Sequence, residues 1–294
     1  MRKINYLIFI LLSVFVMSSC STKIDSKLPV IVVSIPPQQY FADKLVGDKM
    51  DVRCLLEKGG NPEIYEPTPS DIISIEQSDL YMMMGYLPFE TNLVSKIMSN
   101  KPDLNVVDTS KGVDALLGTH GDCPHHHEHV HSHNHDADPH TWSSVKNAKI
   151  IVKNMSDAII DIDVANKDYY AENYRMIKAH LDSIDDAIAE KLEVKKGKSF
   201  LVWHPSLSYF ARDYGLNQIS VWQNGKETTV QSMQTKINEA EKSNATVFFL
   251  QKDYDARQTE VISQQIETNL VYINPLNYNW EEEINNIVNA IVGE

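Results

Sequence analysis

The chain has 294 residues, of which 40 are acidic and 27 basic, giving a formal net charge of −13. A surface of that sign attracts cations and repels a phosphate backbone, which excludes nucleic acid as the partner. With only three cysteines there is no disulfide framework, so burial of apolar side chains must hold the fold, and the length allows one large or two ordinary domains.

The first elements set the compartment. MRKINYLIFILLSVFVMSSC carries two basic residues, an uncharged apolar run from Ile4 to Met17 and small residues ending at Cys20, the layout of a secretory signal. The run falls short of the ~20 residues a membrane span needs. Cys20 directly after Ser18 and Ser19 is similar to a bacterial lipobox, although Met17 stands where leucine is usual. The expectation is a signal peptide over 1–19 and a lipidated tether over 20–27, the mature chain lying outside the cytoplasm on a lipid anchor. A simple signal peptide with an incidental cysteine would read the same way. A bridge between the remaining Cys54 and Cys123 is not expected.

From Leu28 the pattern alternates. LPVIVVSI is a continuous β-branched run and reads as a buried strand, and PPQQYFADKLVG reads as a helix opened by proline. A strand at MDVRCLLE, a Gly/Pro-rich loop, a helix from about Ser70, a strand at DLYMMM, a helix over Glu90 to Met98 and a strand at LNVVD follow. Alternation of this kind implies a parallel sheet covered on both faces. Residues 168–196 contain no glycine before Gly197 and no proline, and Tyr170, Tyr174, Ile177, Leu181, Ile184, Ile188 and Leu192 recur every three or four positions. That spacing predicts one long amphipathic helix of about 29 residues, ~43 Å at 1.5 Å per residue. SFLVW, LNQISVW, ATVFFL and NLVYIN then repeat the strand theme before a last helix at WEEEINNIVNAIVG. The fold class is α/β: an N-terminal lobe over 28–164 carrying a histidine-rich loop over 118–137, a linking helix over 165–196 and a C-terminal lobe over 197–294. Two lobes on a rigid helix would hold a cleft of nearly fixed width.

Three residues stand where such folds place ligands. Glu63 lies in GGNPEIYEPTPSD, a loop stiffened by Pro62, Pro67 and Pro69, with Ser70 or Asp71 able to cap the helix that follows. His140 in DPHTW precedes a helix, and His204 in LVWHPSLSYF ends a strand. Singly, each reads more readily as an exposed loop carboxylate or as a capping or packing histidine than as a ligand. Together, at α/β boundaries, they make a candidate metal set.

The order PEIYEPTPSD, DPHTW, HPSLSYFARDYGL and VYINPL, with a long central helix between and a lipobox before, resembles the metal-binding lipoproteins of ABC importers for zinc and manganese, the ZnuA/TroA-like family. The likeness runs from about Val30 to Val292. It implies two α/β lobes bridged by a helix, one divalent ion at their interface, a monomer, and delivery to an importer permease driven by a separate ATPase. His140 and His204 match two of the family's ligands. Glu63 stands where histidine is usual, and Asn274 stands where several members place a carboxylate, leaving Asn274 or water for the fourth position. Two imidazoles and a carboxylate suit tetrahedral zinc, and with further oxygen ligands would also suit manganese. A zinc-buffering or zinc-delivering lipoprotein without a permease is the alternative function.

GDCPHHHEHVHSHNHDA is a separate matter. His120, His125, His126, His127, His129, His131, His133 and His135 crowd a segment that cannot bury a core. Its imidazoles offer many weak, exchangeable sites, an accessory for metal capture near the cleft; a solubilising tract is the other reading. HEHVH matches H-E-x-x-H, but in so histidine-dense a run the match carries little, and the packed helix that protease chemistry needs is not indicated. KKGKS lacks the first glycine of a P-loop, which would fall on Leu192. No enzymatic activity is expected. Trp142, Trp203, Trp222 and Trp280 read as packing residues.

Overall fold

A computed structural model describes residues 28–56, 59–117, 137–222, 230–251 and 268–293. The signal segment, Cys20, Cys123 and the eight histidines from His120 to His135 lie outside the described residues.

The first sheet is built from β1 (Val30–Val33), β2 (Asp51–Cys54), β3 (Leu80–Met83) and β4 (Asn105–Asp108), in the order β2-β1-β3-β4. All its pairings are parallel, with Ile31 opposite Val52 on one side and Leu80 on the other. Its central strand is buried along its whole length, which is why VIVV reads as an unbroken apolar run. Helices α1 (Pro36–Val46), α2 (Pro69–Glu76), α3 (Pro88–Asn100) and α4 (Val145–Ile162) belong to this half. The second sheet repeats the order: β5 (Ser199–Val202), β6 (Asn217–Ser220), β7 (Val247–Gln251) and β8 (Asn269–Ile273) run parallel as β6-β5-β7-β8. Its helices are α6 (Ser208–Tyr214), α7 (Val230–Lys242) and α8 (Trp280–Val292).

Between the sheets runs α5 (Lys167–Leu192), 26 residues and so ~39 Å long. It starts one residue before the predicted helix and passes into a 3-10 turn at Glu193–Lys195. Tyr170, Leu181, Ile188 and Leu192 of α5 are buried in a core that also holds Ile31 and Tyr81 of the first sheet and Phe200 and Phe249 of the second. Polar ties add to this: Lys149 of α4 pairs with Asp182 and Asp185 of α5 at 2.8 and 2.9 Å, and the Tyr214 hydroxyl donates to Asp185 at 2.8 Å. A second core cluster, around Leu201, Ile237 and Phe248, belongs to the C-terminal half alone.

The cap of α2 differs from the expectation of Ser70 or Asp71. Pro69 occupies the first turn, so the cap falls on Thr68, whose hydroxyl accepts from the Asp71 N–H while the Asp71 carboxylate accepts from the Thr68 N–H. Ala137, expected within the histidine-rich loop, is buried and pairs antiparallel with Leu117. No helix among the described residues is long and apolar enough to cross a membrane.

Candidate metal centre

Glu63, His140 and His204, 141 residues apart at the extremes, converge on one point. Glu63 Oε1 lies 3.1 Å from His204 Nε2 and 3.6 Å from His140 Nε2, and the two Nε2 atoms are 3.2 Å apart. They form a group of potential metal ligands among the described residues. Both histidines are buried and Glu63 is partly so.

Each is held by local chemistry. Asn61 accepts the Glu63 N–H through its side-chain oxygen at 2.9 Å, an Asx turn that, with Pro62, fixes the loop after β2. His140 sits at the entrance to a 3-10 turn, Thr141–Ser143. That turn is anchored by the Ser110 and Thr141 hydroxyls at 2.9 Å and by the Asn147 amide donating to the Thr141 carbonyl at 3.0 Å. His204 follows β5, and its carbonyl accepts the Ser206 N–H at 2.7 Å. Its ring is 5.0 Å from that of His140 and 5.1 Å from that of Trp222.

The Asp138 carboxylate lies 2.8 Å from His140 Nδ1 and 2.9 Å from the His140 backbone nitrogen. Nothing in the local pattern DPH marks this pairing, because it depends on the turn at Pro139; sequence reading passed over it. Burial would raise the Glu63 carboxyl, but the hydrogen bond from His204 and the charges of both histidines outweigh it and hold Glu63 below its ordinary range. Burial would lower His140, yet the Asp138 hydrogen bond and charge prevail and raise it. For His204 burial prevails, and it is lowered.

The ring nitrogens face a small cleft between the lobes, whose walls include Pro62, Trp142, Gln251, Asn274 and Leu276. Asn274 is thus brought to the same cleft. Its Oδ1 accepts the Leu276 N–H at 3.1 Å, and its own N–H donates to Glu283 at 3.0 Å. Trp142 and Trp280 bind the lobes beside the cleft: Trp142 Nε1 donates to the Pro275 carbonyl at 2.8 Å and Trp280 Nε1 to the Trp142 carbonyl at 2.7 Å. Along with Trp203 they are buried, as packing residues should be.

With this geometry in view, the comparisons with known proteins are informative. Residues 31–292 match the family ZnuA, described as "Zinc-uptake complex component A periplasmic". The high-affinity zinc uptake system protein ZnuA of Bacillus subtilis (strain 168) is 28% identical over 256 residues, covering 86% of this chain and 80% of that protein. A manganese ABC transporter substrate-binding lipoprotein, PsaA of Streptococcus anginosus, is 25% identical over 284 residues, covering 92% of this chain and 88% of the relative. Among solved structures, a zinc-bound deletion mutant of ZnuA superposes with a TM-score of 0.78 at 27% identity, over 90% of this chain and 97% of that one.

Proposed function

The chain belongs to the ZnuA family of zinc-uptake components, and from that premise we propose that it is an extracytoplasmic solute-binding protein that takes zinc into its inter-lobe cleft and hands it to an ABC importer. The protein is a carrier, not an enzyme, and the ion is its cargo. The observation that supports this most is the convergence of one carboxylate oxygen and two imidazole Nε2 atoms at separations of 3.1, 3.2 and 3.6 Å. A tetrahedral ion with bonds of about 2.0–2.1 Å requires ligand separations of about 3.3 Å. The spacing suits a tetrahedral ion, and the family match and the zinc-uptake relative favour zinc, while the carboxylate of Glu63 and the manganese transporter among the relatives keep manganese as the second reading. Glu63, His140 and His204 are the ligands in this reading, and Asn274 or water completes the shell.

The finer features are part of the same proposal. Cys20, after MSSC, carries the lipid that tethers the protein to the membrane, in keeping with relatives that are named lipoproteins. The partner is a permease with its own ATPase, and the protein works as a monomer. The histidines from His120 to His135 collect zinc at weaker, exchangeable sites.

Calorimetric titration with zinc and with manganese tests this. Wild type should show one tight zinc site and additional weak ones. Deleting 120–135 should remove only the weak ones, and Glu63→Ala should weaken the tight site tenfold or more. Loss of the tight site on deleting the loop, or an unaltered tight site in Glu63→Ala, would overturn the assignment.

A further inference from the structure

The metal reading accounts for three ligands but leaves the Asp138 carboxylate unused. This side chain is nearly inaccessible, at 7% exposure. It is also pinned from several directions. The Asp138 N–H donates to the Leu116 carbonyl at 2.8 Å, and the Asp138 carbonyl accepts from the Tyr209 hydroxyl at 2.7 Å. One carboxylate oxygen then faces both the backbone N–H and Nδ1 of His140. That oxygen already accepts the His140 backbone N–H, and a carboxylate group in this position serves only as an acceptor. Nδ1 must therefore carry the hydrogen, and Nε2 presents its lone pair toward Glu63 and His204.

We propose that Asp138 is a positioning residue for the cargo ion, fixing the His140 tautomer and supplying the second of two negative charges that offset a divalent cation. The inference rests on the zinc-carrier reading above. Glu63 contributes one charge directly and Asp138 the other through the imidazole, while both histidines bind in the neutral state. The remainder of the cleft wall is uncharged among the described residues. A divalent ion thus leaves the buried site with no net charge, and a monovalent one leaves it negative. An uncompensated charge removed from water is costly, so the arrangement selects for divalent cargo. Tyr209, from the C-terminal lobe, holds the Asp138 backbone in place, so the orientation of an N-terminal ligand depends on a residue of the other lobe.

The test pairs zinc calorimetry with nitrogen-15 NMR of the histidine rings at alkaline pH, on wild type, Asp138→Ala and Asp138→Asn. In Asp138→Ala, zinc affinity should fall 10- to 100-fold, in line with the usual effect of removing a ligand's outer partner, and the metal-free His140 ring should lose its single Nδ1–H tautomer. Asp138→Asn retains an oxygen acceptor, so it should restore the tautomer while recovering only part of the affinity, because the charge is gone. An Asp138→Ala protein that melts cooperatively, keeps the wild-type ring signals and binds zinc as wild type does would overturn the proposal. Should Asp138→Ala not fold, Asp138→Asn decides: wild-type zinc affinity in that protein overturns the charge role and with it the proposal. A wild-type protein that binds no zinc at all would instead sink the carrier reading on which this one stands.

Discussion

At the scale of single residues, the most unusual environment away from the cleft is that of Glu90. It is fully buried on α3, where its carboxylate accepts from the backbone N–H groups of Met84 and Gly85 at 2.6 and 2.7 Å and from the Ser34 hydroxyl, which the Tyr81 hydroxyl joins at 2.9 Å. It thereby ties the turn after β3 to the end of β1. Gly85 takes a positive φ of 108°, and a Cβ there would collide with the Asp108 carboxylate, so the turn needs glycine. Burial pushes the Glu90 carboxyl from 4.5 to about 7 against those hydrogen bonds. The folded state therefore holds a proton that the unfolded state releases near pH 4.5, and stability falls as pH rises from there to about 7. Denaturant titrations of wild type and Glu90→Gln should diverge across that window by up to about 3 kcal/mol, wild type losing ground as pH rises; parallel curves would mean that Glu90 does not titrate there. The candidate ligands His140 and His204 were legible in the sequence because each abuts a recognisable strand or helix end. Glu90 and Asp138 were not, because Glu90 meets segments brought together only by the tertiary fold and the Asp138 pairing with His140 depends on a turn at Pro139 that the pattern does not record.

At the scale of elements, legibility followed burial. The central strands β1 and β7 are buried over almost their full length and are written as VIVV and VFFLQ. The edge strands β2 and β6, DVRC and NQIS, mix polar and apolar residues, and their limits could be placed only within wider predicted runs. The long helix was plain because its buried positions Tyr170, Leu181, Ile188 and Leu192 share one face. Sheet order was not readable, since strand neighbours depend on crossovers that composition does not record. The capping of α2 is the clearest local surprise. Ser70 and Asp71 have capping side chains, but Pro69 sets the helix start one position earlier and hands the role to Thr68. Thr68→Ala should cost about 1 kcal/mol and loosen the proline-rich loop that carries Glu63. Chemical denaturation of the metal-free protein would measure the first effect, and a loss below about 0.3 kcal/mol would show that the capping box contributes little.

On the scale of the whole molecule, the two sheets behave as one body. Their shared core runs through α5, and the indole N–H groups of Trp142 and Trp280, donating to the carbonyls of Pro275 and Trp142, tie the lobes beside the candidate metal centre. Aromatic contacts continue outward from there: Trp280 packs on Phe41 with ring centres 5.0 Å apart, and the Tyr278 hydroxyl donates to Asp43 at 2.8 Å. A cleft that opens by separating the lobes to release its ion must part these contacts. Trp280→Phe leaves a smaller aromatic ring and removes one bond, the bond alone worth about 1–2 kcal/mol when a buried acceptor is left without its partner. Zinc dissociation into a chelator, followed by stopped flow, should then accelerate roughly 5- to 30-fold; an unchanged rate would mean that opening leaves this contact closed. The pairing of Leu117 with Ala137 has a consequence of another kind. Leu117 and Ala137 stand side by side, so the segment that joins them closes a loop whose ends are almost in contact. Doubling the length of such an excursion costs only about 0.6 kcal/mol of closure entropy. The number of histidines between Leu117 and Ala137 can therefore change through gain or loss of whole segments while Asp138, His140 and the architecture behind them stay where they are.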